Sequence, residues 1–376
     1  MQRTPFDRLR PGMITAANVF SADGRLLIKA DVPMTAPYLQ RLMQLGVPSV
    51  YTRNSLFEDN CAPELLSEPT RVSHIRSLQQ QFLSVQAGSS WDTRCFIEMA
   101  EKIATEVRQN TQFMVQLTDI RLCNEFIYGH SVNVAVLCTL IGMVLGYPKR
   151  KLQELALGGL LHDIGQMKIP PSLLNKSTKL SSDEFSVSQT HTTHGFDILR
   201  QTGSGRIPLL AMHMALQHHE KVDGTGYPRG LHDKEIHEYA KITAVADVYD
   251  AMTCDRPYRR ALFPHEACLI MGRELGRHFD VDILTAFLTR VVIYPIGSVV
   301  LLSTGHIGVV IKMYEGMQNR PTVRLILGPG CRTLTQKELL DLREHQEVEI
   351  KKVLIEEEVS EVCELVRRQP STTTKY

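Results

Sequence analysis

Seven of the chain's 14 histidines fall between residues 130 and 219. His218 and His219 are adjacent, and His162 is followed at once by Asp163. A lone His-Asp pair says little, because most such pairs are surface or capping residues. This pair has company. His130 precedes the apolar run VNVAVLCTLIGMVLGY, His191 lies in SSDEFSVSQTHTTHG, and Asp247 lies in ITAVADVYDAM. A carboxylate in a stripe of Ile, Ala and Val is costly to bury unless it is paired or binds a metal. Asp250, three residues on, is placed to support a neighbour by a hydrogen bond. No CxxC accompanies these residues. Imidazole with carboxylate suits Fe, Mn, Zn or Ni and lacks the thiolates of a structural zinc site. One aspartate can bridge two ions ~3.5–4 Å apart, and such a pair activates water and stabilises both oxygens of an in-line displacement at phosphorus. The chemistry these residue types imply is metal-assisted phosphoester hydrolysis.

Helices must carry these donors. From residue 120 to about 288 the pattern is helical, with breaks at 146–148, 170–171, 203–208 and 223–230. Residues 149–163 form one apolar-striped helix, with His162 and Asp163 near its end. Ser181 and Glu184 fit a capping box. It opens a helix expected to run to about residue 201, with His191 in its middle and Gly195 one turn on, on the same face. Glycine there costs ~1 kcal/mol against alanine, so close packing is expected. His194 reads as solvated and His213, inside PLLAMHMALQHHE, as a core histidine or one that supports a ligand. Neighbours on a helix differ by ~100°, yet near a helix end both His218 and His219 can reach one polynuclear centre.

The flanks read differently. Residues 1–60 form a small α+β module: a hairpin turning at Asp23-Gly24, a helix over 36–45 and a strand over 47–52. Residues 58–70 read as a linker, and 71–86 and 95–118 as helices. From residue 291 the pattern turns strand-like, with β-branched residues and glycine turns, and 369–376 read as a tail. The expected domains are therefore 1–60, 61–119, 120–290 and 291–368, in a mainly α protein with a β-rich C-terminal appendage.

Composition bounds the partners. With 42 Lys+Arg against 41 Asp+Glu, the formal charge is +1. No global field draws the chain to DNA or anionic lipid. The longest apolar run, 132–147, is shorter than the ~20 residues a bilayer needs, so it reads as a core helix. The N-terminal residues lack an apolar signal core. Eight cysteines without a paired framework fit a reduced, cytoplasmic setting.

The segment His218-His219-Glu220-Lys221-Val222-Asp223-Gly224-Thr225-Gly226-Tyr227-Pro228 reads HHExxDGxGYP. With His162-Asp163 upstream, it resembles the HD-GYP family, bacterial phosphodiesterases for cyclic di-GMP within the HD superfamily. The resemblance covers about residues 120–290. It implies an HD-type helical bundle and a hydroxide bridging two divalent transition metal ions, Fe or Mn first, Zn or Ni next. The product would be pGpG, GMP or both. It implies ligands His130, His162, Asp163, His191, His218, His219 and Asp247, with Asp163 as the bridge. It implies that Gly226, Tyr227 and Pro228 shape the substrate site and that Arg256 and Arg259 touch phosphates, a task suited to a planar guanidinium.

Two positions depart from the family. Where it reads HDxGK, this chain has Gln166, which keeps a donor but loses a charge. Lys168 is the candidate replacement. The acid that adds a third metal in some members is replaced by Phe126, and Glu125 would point ~140° away from His130 on a helix. Two metals are therefore expected. The alternative reading is a non-catalytic cyclic di-GMP receptor or scaffold that binds a diguanylate cyclase through the GYP surface, and helices 71–118 could make a homodimer.

Overall fold

The computed structural model describes residues 2–20, 26–47, 49–53, 65–110, 126–174, 176, 178–201, 207–254, 261–314, 316–334 and 338–367. The chain divides into two compact units. One joins residues 1–63 to 292–376, and the other is 64–291.

The first unit begins with β1 (Gln2–Pro5), β2 (Val19–Phe20), β3 (Leu26–Ile28), α1 (Ala36–Gln44) and β4 (Ser49–Thr52). β1 pairs antiparallel with β4, and β2 with β3. Asp23-Gly24 lies outside the described residues, but the strands on either side pair. Thr35 caps α1 by accepting from the Tyr38 amide.

The second unit is helical. It contains α2 (Glu68–Gln86), α3 (Thr93–Gln109), α4 (Phe126–Val144), α5 (Lys149–Leu161), α6 (Pro171–Leu174), α7 (Ser182–Gln189), α8 (His191–Gln201), α9 (Leu209–Gln217), α10 (Glu238–Thr253), α11 (Pro264–Arg273) and α12 (Val281–Leu288). A 3-10 turn, Ile164–Lys168, follows α5. α4 is predominantly apolar around its circumference, and a helix of that kind belongs inside. It packs against α2, α3, α5, α10 and α12, with Val132, Val134, Leu137 and Ile141 fully buried. Its Ile127–Val144 stretch is long and apolar enough to cross a bilayer, yet 72% of it is buried inside the protein.

Three expectations are corrected. The linker read over 58–70 gives way to helix at Glu68, because Pro69 in the first turn has no amide hydrogen to leave unpaired. The helix expected from 181 to 201 is broken at Thr190. The capping box at Ser181 is present. However, the Thr190, Thr192 and Thr193 hydroxyls donate to the carbonyls of Val187, Gln189 and Thr190. Side chains that bond the backbone three residues back compete with the helical ladder. His191 therefore opens α8 instead of sitting mid-helix. Third, His213 is half-buried, its ring lying nearly parallel to that of His237 at 6.5 Å.

The first unit continues with β5 (Val299–Leu302), β6 (Ile307–Lys312), β7 (Thr322–Gly328), β8 (Arg332–Thr333), β9 (Leu339–Asp341), β10 (Ile350–Val353) and α13 (Glu356–Arg367). The antiparallel order is β10-β5-β6-β7-β8, with β9 also on β7. The closing helix was not expected. Its Val359, Val362 and Cys363 pack with Val299, Val309 and Leu327 of the sheet.

Candidate metal centre

Five helices and the 3-10 turn converge on one point. His130 lies in α4, His162 caps α5, and Asp163 opens the 3-10 turn. His191 opens α8, His218 caps α9 with His219 next, and Asp247 lies inside α10. All are buried except His219, which is half-buried. The seven residues named from the sequence as metal ligands thus meet in space.

Asp163 sits between two groups of histidines. Its Oδ1 is 3.4 Å from His191 Nε2 and 3.8 Å from His218 Nε2. Its Oδ2 is 3.4 Å from His162 Nε2 and 3.8 Å from His130 Nε2. Asp247 spans the same gap, with Oδ1 3.0 Å from His130 Nε2 and Oδ2 3.8 Å from His219 Nδ1. Three triads have donor atoms within 4.8 Å of one another: His191, His218 and His219; His130, His162 and Asp247; His162, Asp163 and His218.

The imidazoles are oriented for ligation. A carbonyl or carboxylate oxygen can only accept, so a ring nitrogen facing one carries the proton. His162 Nδ1 donates to Gly159 O at 2.8 Å, and His191 Nδ1 to Ser188 O at 2.7 Å. His218 Nδ1 donates to Met214 O and Ala215 O, both at 3.0 Å, and His130 Nδ1 to Asp250 Oδ2 at 2.7 Å. Each turns its Nε2 inward, the orientation of metal-ligating histidines. The Nε2 atoms of His191 and His218 face each other at 3.4 Å. His162 Nε2 and Asp163 Oδ1 are buried without a hydrogen-bond partner. Lone pairs gathered without donors are unfavourable unless a cation lies among them, so these residues fit divalent metal.

Charge follows the same logic. Burial would raise Asp163, but His162, His191 and His218 hold its carboxyl well below the usual range. Burial would lower His130, but Asp247 and Asp250 outweigh it and push it up to about 10. Burial, with His191 adding to it, lowers His219 to about 4.

The segment after His219 wraps the centre. Tyr227 donates its amide to His219 O at 3.1 Å, and its ring stacks on that of His219 at 4.7 Å. Phe185 of α7 meets Tyr227 edge-on at 6.2 Å. A Cβ on Gly226 would stand 2.5 Å from Glu220 Cα, so no other residue fits. Glu220, 2% exposed, accepts from the amides of Arg229 at 2.8 Å and Leu231 at 2.9 Å. Nothing in the residues next to Glu220 in sequence marks this role. The available signal was a glycine-rich loop, whose amides need acceptors once buried.

The remaining candidates fall less centrally. In a 3-10 turn, residues three apart eclipse, so half-buried Gln166 shares the edge of Asp163. Lys168 is exposed and ~240° around the turn from Gln166. Among the described residues no hydrogen bond or ion pair joins Lys168 to the cluster. Arg256, Arg259 and Glu125 lie outside the described residues. Pro228 follows Tyr227 through a cis peptide bond.

The chain resembles known proteins over the region that carries this cluster. Residues 114–283 match the HD domain family, and 299–362 match the family described as a KOW domain associated with HD domain. The chain is 34% identical over 261 residues to the cyclic di-GMP phosphodiesterase PA4108 of Pseudomonas aeruginosa, covering 69% of this chain and 62% of that protein. It is 32% identical to a cyclic di-GMP phosphodiesterase of Thermotoga maritima, covering 58% of this chain and 56% of that protein. It is 34% identical to the 3'3'-cGAMP-specific phosphodiesterase 1 of Vibrio cholerae, covering 46% of this chain and 38% of that protein. The chain thus spans less than two thirds of the length of each of these relatives. The chain therefore carries an HD domain over residues 114–283, and the HHExxDGxGYP segment lies within it.

Proposed function

We propose that this chain is a metal-dependent phosphodiesterase that hydrolyses cyclic di-GMP to pGpG, GMP or both. One observation carries the reading: each oxygen of Asp163 faces a different pair of histidine Nε2 atoms. That is how a bridging carboxylate must stand. His130, His162 and Asp247 would hold one divalent ion, and His191, His218 and His219 the other, with Asp163 shared. Fe or Mn is the first expectation for both, Zn or Ni the next. When bound, such ions supply the Lewis acidity that activates water and stabilises charge on a phosphodiester.

The chain's own residues do the rest. Asp250 and the carbonyls of Gly159, Ser188, Met214 and Ala215 hold protons on the outer ring nitrogens. Tyr227, braced between His219 and Phe185, offers an aromatic face to a guanine. Gln166 offers a neutral donor to a phosphate oxygen from the edge of Asp163. Arg256 and Arg259 remain the proposed phosphate anchors. The proposal includes a cytoplasmic setting, a homodimer and a diguanylate cyclase docking on the GYP surface. Each has a direct test, by fractionation, by sedimentation and by pull-down.

Gln166 favours a second reading, a receptor that binds cyclic di-GMP without cutting it. The experiment is anaerobic purification with metal analysis, then separation of nucleotides after incubation with cyclic di-GMP and, in parallel, 3'3'-cGAMP. About two ions per chain and linear product from cyclic di-GMP, both lost in Asp163→Ala, are expected. Metal-loaded protein that holds cyclic di-GMP uncut for hours overturns catalysis in favour of the receptor. Preferential cleavage of 3'3'-cGAMP overturns the substrate.

A further inference from the structure

A buried hydrogen-bonded chain runs from α2 into the metal centre. Arg71, 2% exposed, donates from Nη1 to Asn133 Oδ1 at 2.6 Å. Asn133 Nδ2 donates to Asp250 Oδ1 at 2.9 Å, and Asp250 Oδ2 accepts from His130 Nδ1 at 2.7 Å. The direction of every link is forced. A guanidinium has donors only, so Arg71 selects the amide oxygen of Asn133 and turns the NH2 group toward Asp250. Asp250, fully buried, accepts from Asn133 and, at 3.5 Å, from Cys254 Sγ on Oδ1, and its Oδ2 stays an acceptor for His130. That keeps a proton on His130 Nδ1 and aims its Nε2 inward, toward Asp247 and Asp163. Without Arg71, the Asn133 amide is free to turn over and set its oxygen against the carboxylate.

Two further observations separate this from ordinary packing. A buried guanidinium is costly, and apolar side chains fill such positions at lower cost. Arg71 also lies outside residues 114–283, the HD domain match. It is delivered by α2, which packs on α4 and on the 3-10 turn that follows Asp163.

We propose that Arg71 is a positioning residue for the His130 ligand, acting through Asn133 and Asp250, and that α2 is thereby a working part of the metal centre. The proposal rests on the metal reading above. Linked buried hydrogen bonds polarise one another, so cutting the chain at any link should give the same loss.

The test is Mn2+ binding to the full chain by calorimetry, with free and bound Mn2+ counted by electron paramagnetic resonance. Arg71→Met should weaken one of the two Mn2+ sites ~10–100-fold, the usual effect of losing a group that orients a ligand. Arg71→Lys, which keeps a cationic donor, should recover most of that loss. Asn133→Ala should weaken the same site by the same factor, and adding Arg71→Met to it should change nothing more. A merely structural Arg71 would lower the melting temperature and leave the Mn2+ affinity of the folded protein unaltered; that result, or additive losses, overturns the proposal. If Arg71→Met does not fold, Asn133→Ala decides alone: a tenfold loss supports the proposal and wild-type affinity overturns it. Wild type that takes up no Mn2+ overturns the metal reading and this one with it. Mn2+ binding that survives Arg71→Met but not Asp163→Ala overturns only the role of Arg71.

Discussion

A Cβ on Gly165 would collide with the backbone oxygen of His191. The turn that carries Asp163 therefore rests directly on the backbone of the first turn of α8, and this contact sets the Asp163–His191 separation. Gly165→Ala must push the two apart. Overpacking costs ~1–3 kcal/mol, and rigid backbone on both sides favours the upper end. The melting midpoint should fall by roughly 6–12 °C, with metal content reduced. Calorimetry and metal analysis on one preparation check both.

Glu220 is expected to act through the loop. Glu220→Ala leaves the amides of Arg229 and Leu231 without their acceptor. An unsatisfied buried amide costs about 1–3 kcal/mol, and Leu231 is buried. Hydrogen exchange over residues 224–231 should accelerate, and KM for cyclic di-GMP should rise more than kcat falls. Unchanged exchange would show that other acceptors take over.

Gln166→Lys should raise kcat/KM for cyclic di-GMP about tenfold. A charged donor gains roughly 1–1.5 kcal/mol over a neutral one, and 1.36 kcal/mol is a factor of ten in rate. Lys168→Ala, by contrast, should stay within about twofold, because Lys168 is exposed and off the Asp163 edge. Steady-state kinetics on the two variants separate these roles.

Metal should stabilise the second unit by mass action. Mn2+ at a hundred times its dissociation constant adds about 2.7 kcal/mol, or roughly 5–11 °C in the midpoint. A chelator should remove that gain. Asp163→Ala should show neither effect in thermal scans with and without Mn2+.

Asp280 supplies a pH-dependent contribution remote from the metal. Its carboxylate caps α12 by accepting from Asp282 N and Ile283 N and also accepts from Lys241 Nζ at 3.1 Å. Burial would raise its pKa, but the Ile283 amide and Lys241 hold it below the usual range. A depressed carboxyl stabilises fully above its unfolded value, about 3.9, and the gain fades as pH falls through the folded value. Asp280→Ala should therefore cost about 1–2 kcal/mol at pH 7, and the gap should close below about pH 4. Melting curves from pH 3 to 7 check the sign.

The donor inventory was legible in the sequence because its chemistry is local. An aspartate in an apolar helix, two adjacent histidines at a helix end, a Ser181 capping box and a predominantly apolar α4 each declare themselves within a few residues. The HHExxDGxGYP segment did the same for the loop. Other features were not legible, for physical reasons. The break at Thr190 depends on hydroxyls outcompeting a helical ladder that the sequence periodicity favours. Glu220 acquires its role only when residues 229–231 fold back onto it. Which oxygen of Asp163 faces which histidine is decided by five helices closing around it. The links of Arg71 to Asn133 and of Asn133 and His130 to Asp250 join residues 62, 117 and 120 positions apart. The residue types that can bind metal were thus written in the sequence, whereas their tautomers and aim were decided by tertiary contacts, because a ring proton goes wherever a distant acceptor stands.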